Sequence, residues 1–120
     1  MTKNSMELSG MQGKIKIAND VVLVIAQKAV SDVKGIVSFS GGLSKGIADV
    51  LTNNKNSKKG VRLETEENDI TINLSIVVEY GVIIPELVKT VQEKVKTSIE
   101  VMTDIKVSKV NVYIQDIKIS

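Results

Sequence analysis

The chain has no cysteine, no histidine and no tryptophan, and its 120 residues include one phenylalanine, two tyrosines and a single proline. Each absence closes off a class of chemistry. Without cysteine there is no disulfide and no thiolate nucleophile. With histidine missing too, there is no Cys/His zinc site and no imidazole to serve as acid, base or ligand. A cysteine-free chain also fits a reducing compartment. The three aromatics, Phe39, Tyr80 and Tyr113, are too few to stack a run of bases, so the core has to be built from Val, Ile, Leu and Ala. Charge of one sign is lacking as well. Sixteen basic and 14 acidic side chains, mixed along the chain, leave a net charge of +2, too weak a field to argue for nucleic acid by itself. The longest uninterrupted apolar stretch, Val21 to Ala26, falls far short of the roughly 20 residues that cross a bilayer. The opening MTKNSMELSGMQG has no apolar region of the kind a secretory signal needs. A cytoplasmic protein is therefore expected, with any membrane contact peripheral or made through a partner.

Hydrophobic residues at 42% and charged residues at 25% suit one globular domain of this length. Residues 1–12 are polar and without period and read as a flexible segment, leaving 13–120 as the domain. GKIKIAN alternates Ile15 and Ile17 with Lys14 and Lys16, a short strand. Asn19 or Asp20 can cap the helix that follows, whose Val22, Ile25, Ala26, Ala29, Val30 and Val33 form one apolar stripe up to Gly35. IVSFS is a second strand, and Ile47, Val50 and Leu51 mark a short amphipathic helix that runs out in the polar loop TNNKNSKK. Val61, Leu63 and Thr65 alternate before EEND. After it, Ile70, Ile72, Leu74, Ile76 and Val78 alternate with Thr71, Asn73, Ser75 and Val77, which predicts a hairpin. Pro85 opens a second long helix with Ile84, Leu87, Val88, Val91, Val95, Ile99 and Met102 on its apolar side. In the last segment Val110, Val112 and Ile114 share a face, whereas Ile117 and Ile119 have the opposite parity, so a bulge or a strand end is expected near Gln115–Asp116. The order β-α-β-(short α)-β-β-α-β predicts an α+β two-layer sandwich, with both long helices on one face of a mixed sheet and a polar, wet opposite face.

No set of residues assembles a nucleophile, a base and an oxyanion donor. The loop SFSGGLSKGIADVL has the glycine spacing of a phosphate loop in Gly41 and Gly46, but Ile47 and Ala48 stand where lysine and Ser/Thr would bind phosphate and metal. It reads as a turn. Glu64, Glu66, Glu67 and Asp69 lack the spacing of a calcium loop and read as a polar turn with outward carboxylates. Two candidates for binding are left. Lys45, Lys55, Lys58, Lys59 and Arg62 form a basic loop that is either a solvated face or a contact for anionic lipid or nucleic acid. Leu23 and Val24 widen the first helix's stripe, either as core packing or, if exposed together, as a docking patch. No catalytic, cofactor or metal residue is expected.

Taken in order, GKIKIANDVVLVIAQKAVSDVKGIVSFSGG, VVEYG, VQEKVK and VNVYIQDI resemble the alkaline-shock (Gls-type) family of envelope stress response proteins, in its short YloU-like branch. The likeness covers about residues 13–119, and it departs at Asp116, where members of the family carry glycine. It implies a cytoplasmic, membrane-proximal protein of Gram-positive bacteria that self-associates and is held by a small membrane-anchored partner. A fatty-acid-kinase-like protein is a further implied partner. The family offers no catalytic or cofactor residue to carry over. The expectation from sequence is a non-enzymatic scaffold, with a lipid- or nucleic-acid-binding module on the basic loop as the alternative.

Overall fold

The computed structural model describes residues 5–10, 13–40, 57–58, 60–66 and 69–119. Their elements in chain order are β1 (Ser5–Gly10), β2 (Gly13–Ala18), α1 (Asn19–Ser31), β3 (Ile36–Phe39), β4 (Ser57–Lys58), β5 (Val61–Glu66), β6 (Asp69–Glu79), α2 (Ile84–Thr103) and β7 (Lys109–Lys118). The α+β class and the two long helices agree with the sequence pattern, and three details of the strands and of the first helix's cap differ. Ser5–Gly10, expected to be loose, is a strand. Met6 and Leu8 stand in register with Ile17 and Ile15 of β2, a period of two that the polar residues between them hide. Ser57 and Lys58, read as loop, pair with Arg62 and Val61. The cap of α1 is Ala18, with no side-chain hydrogen bond, and Asn19 is already the first helical residue. The predicted helix around Ile47 lies outside the described residues.

The sheet is organised on β6. β5 runs antiparallel along its first half and β3 along its last part, while β7 lies parallel on the other edge. The parallel β6–α2–β7 step is what makes the sheet mixed. β3 and β5 follow one another on the same edge and meet at Ser75. Its N–H donates to the Gly60 carbonyl and its own carbonyl accepts from the Ser40 N–H, both at 2.8 Å. Gly60 has φ of +82°, and a Cβ there would lie 2.7 Å from the Ser40 oxygen and 2.9 Å from the Ser75 oxygen. The junction therefore requires glycine.

The core lies between sheet and helices. Ile70, Ile72, Leu74, Ile76 and Val78 of β6 and Val61 and Leu63 of β5 face Val22, Ala26 and Val30 of α1 and Leu87, Val91, Val95 and Ile99 of α2. α2 keeps its stripe at steps of four from Leu87 to Thr103, so Met102, expected on that stripe, is 70% exposed and Thr103 is buried instead. The Thr103 hydroxyl donates to the Ile99 carbonyl at 2.6 Å and accepts the Ile105 N–H at 3.1 Å, which pairs it fully inside the core. Glu100 accepts the Val107 N–H at 3.0 Å and fixes the connection into β7. In β7 the register with β6 skips Gln115, so that Ile114 stands opposite Ile76 and Asp116 opposite Val77. That one extra residue is the bulge behind the change of phase.

Candidate functional site

The sheet face away from the helices carries Thr71, Asn73 and Ser75 of β6 beside Lys109, Asn111 and Tyr113 of β7 and Arg62 and Glu64 of β5, by register and alternation. It is polar, as expected. Asn111 donates from Nδ2 to Asn73 Oδ1 at 3.0 Å, a cross-strand amide pair in its centre. Such a face offers hydrogen-bond donors and acceptors across neighbouring strands. Among the described residues no three His, Cys, Asp or Glu side chains stand together as a metal set. Asp69 accepts from the Ser108 hydroxyl at 3.1 Å, and Glu64 lies 3.9 Å from Arg62 Nε, so these two carboxylates are engaged in surface pairs.

The basic-loop candidate is only partly placed. Lys45, Lys55 and Lys59 lie outside the described residues, Lys58 is placed by its backbone in β4, and Arg62 projects from β5 toward Glu64. Neighbouring opposite charge weakens any attraction Arg62 has for an anion. The apolar candidate is divided by the structure. Leu23 is fully buried, against the possibility that it is exposed with Val24, whereas Val24 is 46% exposed. The reason is angular. Leu23 is one position past Val22 and three before Ala26, close enough to the stripe to be drawn into the core, while Val24 lies beyond it.

Exposed apolar residues that the alternation does not single out are more telling. Tyr80 donates its N–H to the Lys118 carbonyl, and Glu79 donates to the Gly35 carbonyl. These bonds gather the end of β6, the end of β7 and the start of β3 at one end of the sheet, just before α2 begins. Val37, Tyr80, Ile83, Ile117 and Ile119 are all exposed there. Gly35, which follows α1, packs near Leu87 at the start of α2, so the two helices are antiparallel neighbours and α1 begins beside the end of α2. Ile15, Val21, Val24, Val101 and Met102 are exposed at that opposite end. Val101 and Met102 are the sequence signal, because both fall off the steps of four from Leu87 to Thr103 that mark the buried stripe of α2.

Residues 7–119 match the family model of alkaline shock protein 23, whose description is a cell envelope-related function. The chain belongs to this family. Two Bacillus subtilis proteins are similar. YqhY is 33% identical over 88% of this chain and 78% of its own length, and YloU is 32% identical over 97% of this chain and 98% of its own. A Streptococcus pyogenes protein named stress response regulator gls24 homolog is 29% identical over 92% of this chain, which spans 62% of that protein. No solved structure matches. Membership of the alkaline-shock family places the chain among envelope- and stress-related proteins and agrees with the resemblance carried by VVEYG and VNVYIQDI. No described helix is long and apolar enough to cross a membrane.

Proposed function

We propose that this alkaline-shock-family protein is a non-enzymatic scaffold that associates with itself and with a membrane-anchored partner, serving the envelope stress response of a Gram-positive cell from the cytoplasmic side. One observation carries the reading: of the large apolar side chains exposed among the described residues, all but Tyr113 gather toward two opposite ends of the domain. Groups of exposed apolar residues mark contact surfaces. Two different patches on opposite ends favour head-to-tail contact, in which each copy uses one end on its neighbour. The family's envelope-related description and the stress-response name of the streptococcal relative agree with a structural role.

The test is sedimentation velocity of the purified protein across concentration, at low and high salt. Mass that rises with concentration and persists in high salt supports apolar self-association, because screening acts on charges and not on buried Val, Ile and Leu. A monomer at every concentration overturns it. Association lost in high salt points to the basic loop and its anionic ligands.

A further inference from the structure

The outer edge of β7 borders a groove of about 390 Å³ lined by Gln92, Glu93 and Lys96 of α2 and by Val107 to Asn111. Strand geometry settles which backbone groups face it. Ser75 bonds Gly60 and Ser40, so odd-numbered residues of β6 face β5 and β3, and even-numbered ones face β7. In a parallel pair, a residue facing its neighbour bonds the two residues that flank its partner. Leu74 stands opposite Val112, so residues 111 and 113 point inward and Val110, Val112 and Ile114 turn their N–H and C=O groups outward. The side-chain amide of Gln92 meets the Val110 carbonyl from the helix side at 2.9 Å. Past the bulge, the Ile117 N–H is taken by Asp116 Oδ1 at 2.8 Å. Between these two caps, Val112 and Ile114 present an edge that no described strand pairs. Long regular edges are usually blunted by charge, proline or bulges. Here the blunting stops on either side of a stretch that is left open, next to a groove.

We infer that this edge and groove form a docking site for an extended, acidic polypeptide segment, which adds to the sheet as a strand beside β7. The backbone groups of Val112 and Ile114 select an extended partner, the mode by which peptides augment sheet edges. The Gln92 amide already occupies the place of an incoming strand's N–H at Val110. The apolar floor of Val107 and Val110 takes alternate aliphatic side chains. Charge selects the rest, because Lys96 lines the groove from α2 and Lys109 stands on the polar face of the same edge strand, against the single carboxylate of Glu93. The site lies on a different surface from the two apolar ends and does not depend on self-association.

The probes are two capped eight-residue peptides, alternating Val–Glu and alternating Val–Lys, added to the isotope-labelled full chain. Amide exchange and chemical shifts are read residue by residue. The Val–Glu peptide is expected to slow exchange at Val112 and Ile114 and to shift Gln92, with the Val–Lys peptide binding at least about tenfold more weakly. Lys96→Glu with Lys109→Glu, both on the surface, is expected to reverse that preference while leaving the fold intact. Val112→Pro removes an outward N–H and is expected to lose both peptides. Failure of the Val–Glu peptide to protect these amides overturns the inference, and so does equal binding of the two. Protection that grows with protein concentration in the absence of peptide also overturns it, since the edge would then be taken by a second copy. The peptide outcomes leave the mass measured by sedimentation unchanged, so the two readings fail separately.

Discussion

Leu23 and Val24 are adjacent and similar in character, yet one is fully buried and the other is nearly half exposed. Leu23→Ala leaves a cavity in the core and is expected to cost about 3 kcal/mol in chemical denaturation. Val24→Lys changes a surface side chain and is expected to stay within about 0.5 kcal/mol of the parent. Equal costs would show that both residues pack inside. Gly60 is constrained in another way. An added Cβ meets backbone oxygens that cannot swing aside, at a φ that L-residues avoid. Gly60→Ala is expected to cost about 3 kcal/mol and to weaken the meeting of β3 and β5 first, seen as faster amide exchange at Ser40 and Ser75. In the sequence Gly60 is only the residue before the alternation of Val61, Leu63 and Thr65, and its contact with Ser40, 20 positions away, depends on β3 sharing an edge with β5.

The elements whose apolar period is unbroken were the legible ones. Ile70 to Val78 and Val22 to Val30 each have one buried face, and both are buried as the pattern requires. β1 escaped because Met6 and Leu8 are too few to declare a period and gain meaning only opposite Ile17 and Ile15. Met102 was misplaced because the stripe of α2 runs in steps of four, a drift that a mixed three-and-four spacing conceals. The phase change in β7, by contrast, could be read directly and has a consequence that can be measured. Gln115 has no partner in the register, so its deletion restores regular pairing while Ile114 and Ile117 stay opposite Ile76 and Val78. That deletion is expected to fold with a thermal midpoint close to the parent's. Deleting Tyr113 instead moves Ile114 to the wet face and brings Gln115 opposite Ile76 on the core side, and it is expected to lower the thermal midpoint well below that of the Gln115 deletion. Similar melting curves for the two deletions would argue against the bulge.

For the molecule as a whole, the sequence pattern predicts a layered α+β domain, as observed. It could not show that Tyr80, Ile83 and Ile119 gather at one end and Val101, Met102 and Val24 at the other, because connectivity brings those segments together only after the sheet and helices have formed. This arrangement makes a demanding prediction for head-to-tail contact. Ile83→Glu with Ile119→Lys disables the first end, and Val101→Lys with Met102→Glu disables the second. All four positions are exposed, so both variants are expected to stay folded. Each alone retains one working end and is expected to sediment as a monomer at concentrations where the parent associates. Mixed in equal amounts, the intact second end of one meets the intact first end of the other, and the mixture is expected to form dimers that grow no further. Contact between like ends gives a different pattern, because one variant then dimerises alone and mixing adds nothing. The stoichiometry of the mixture therefore tests how the copies are joined, beyond whether they associate.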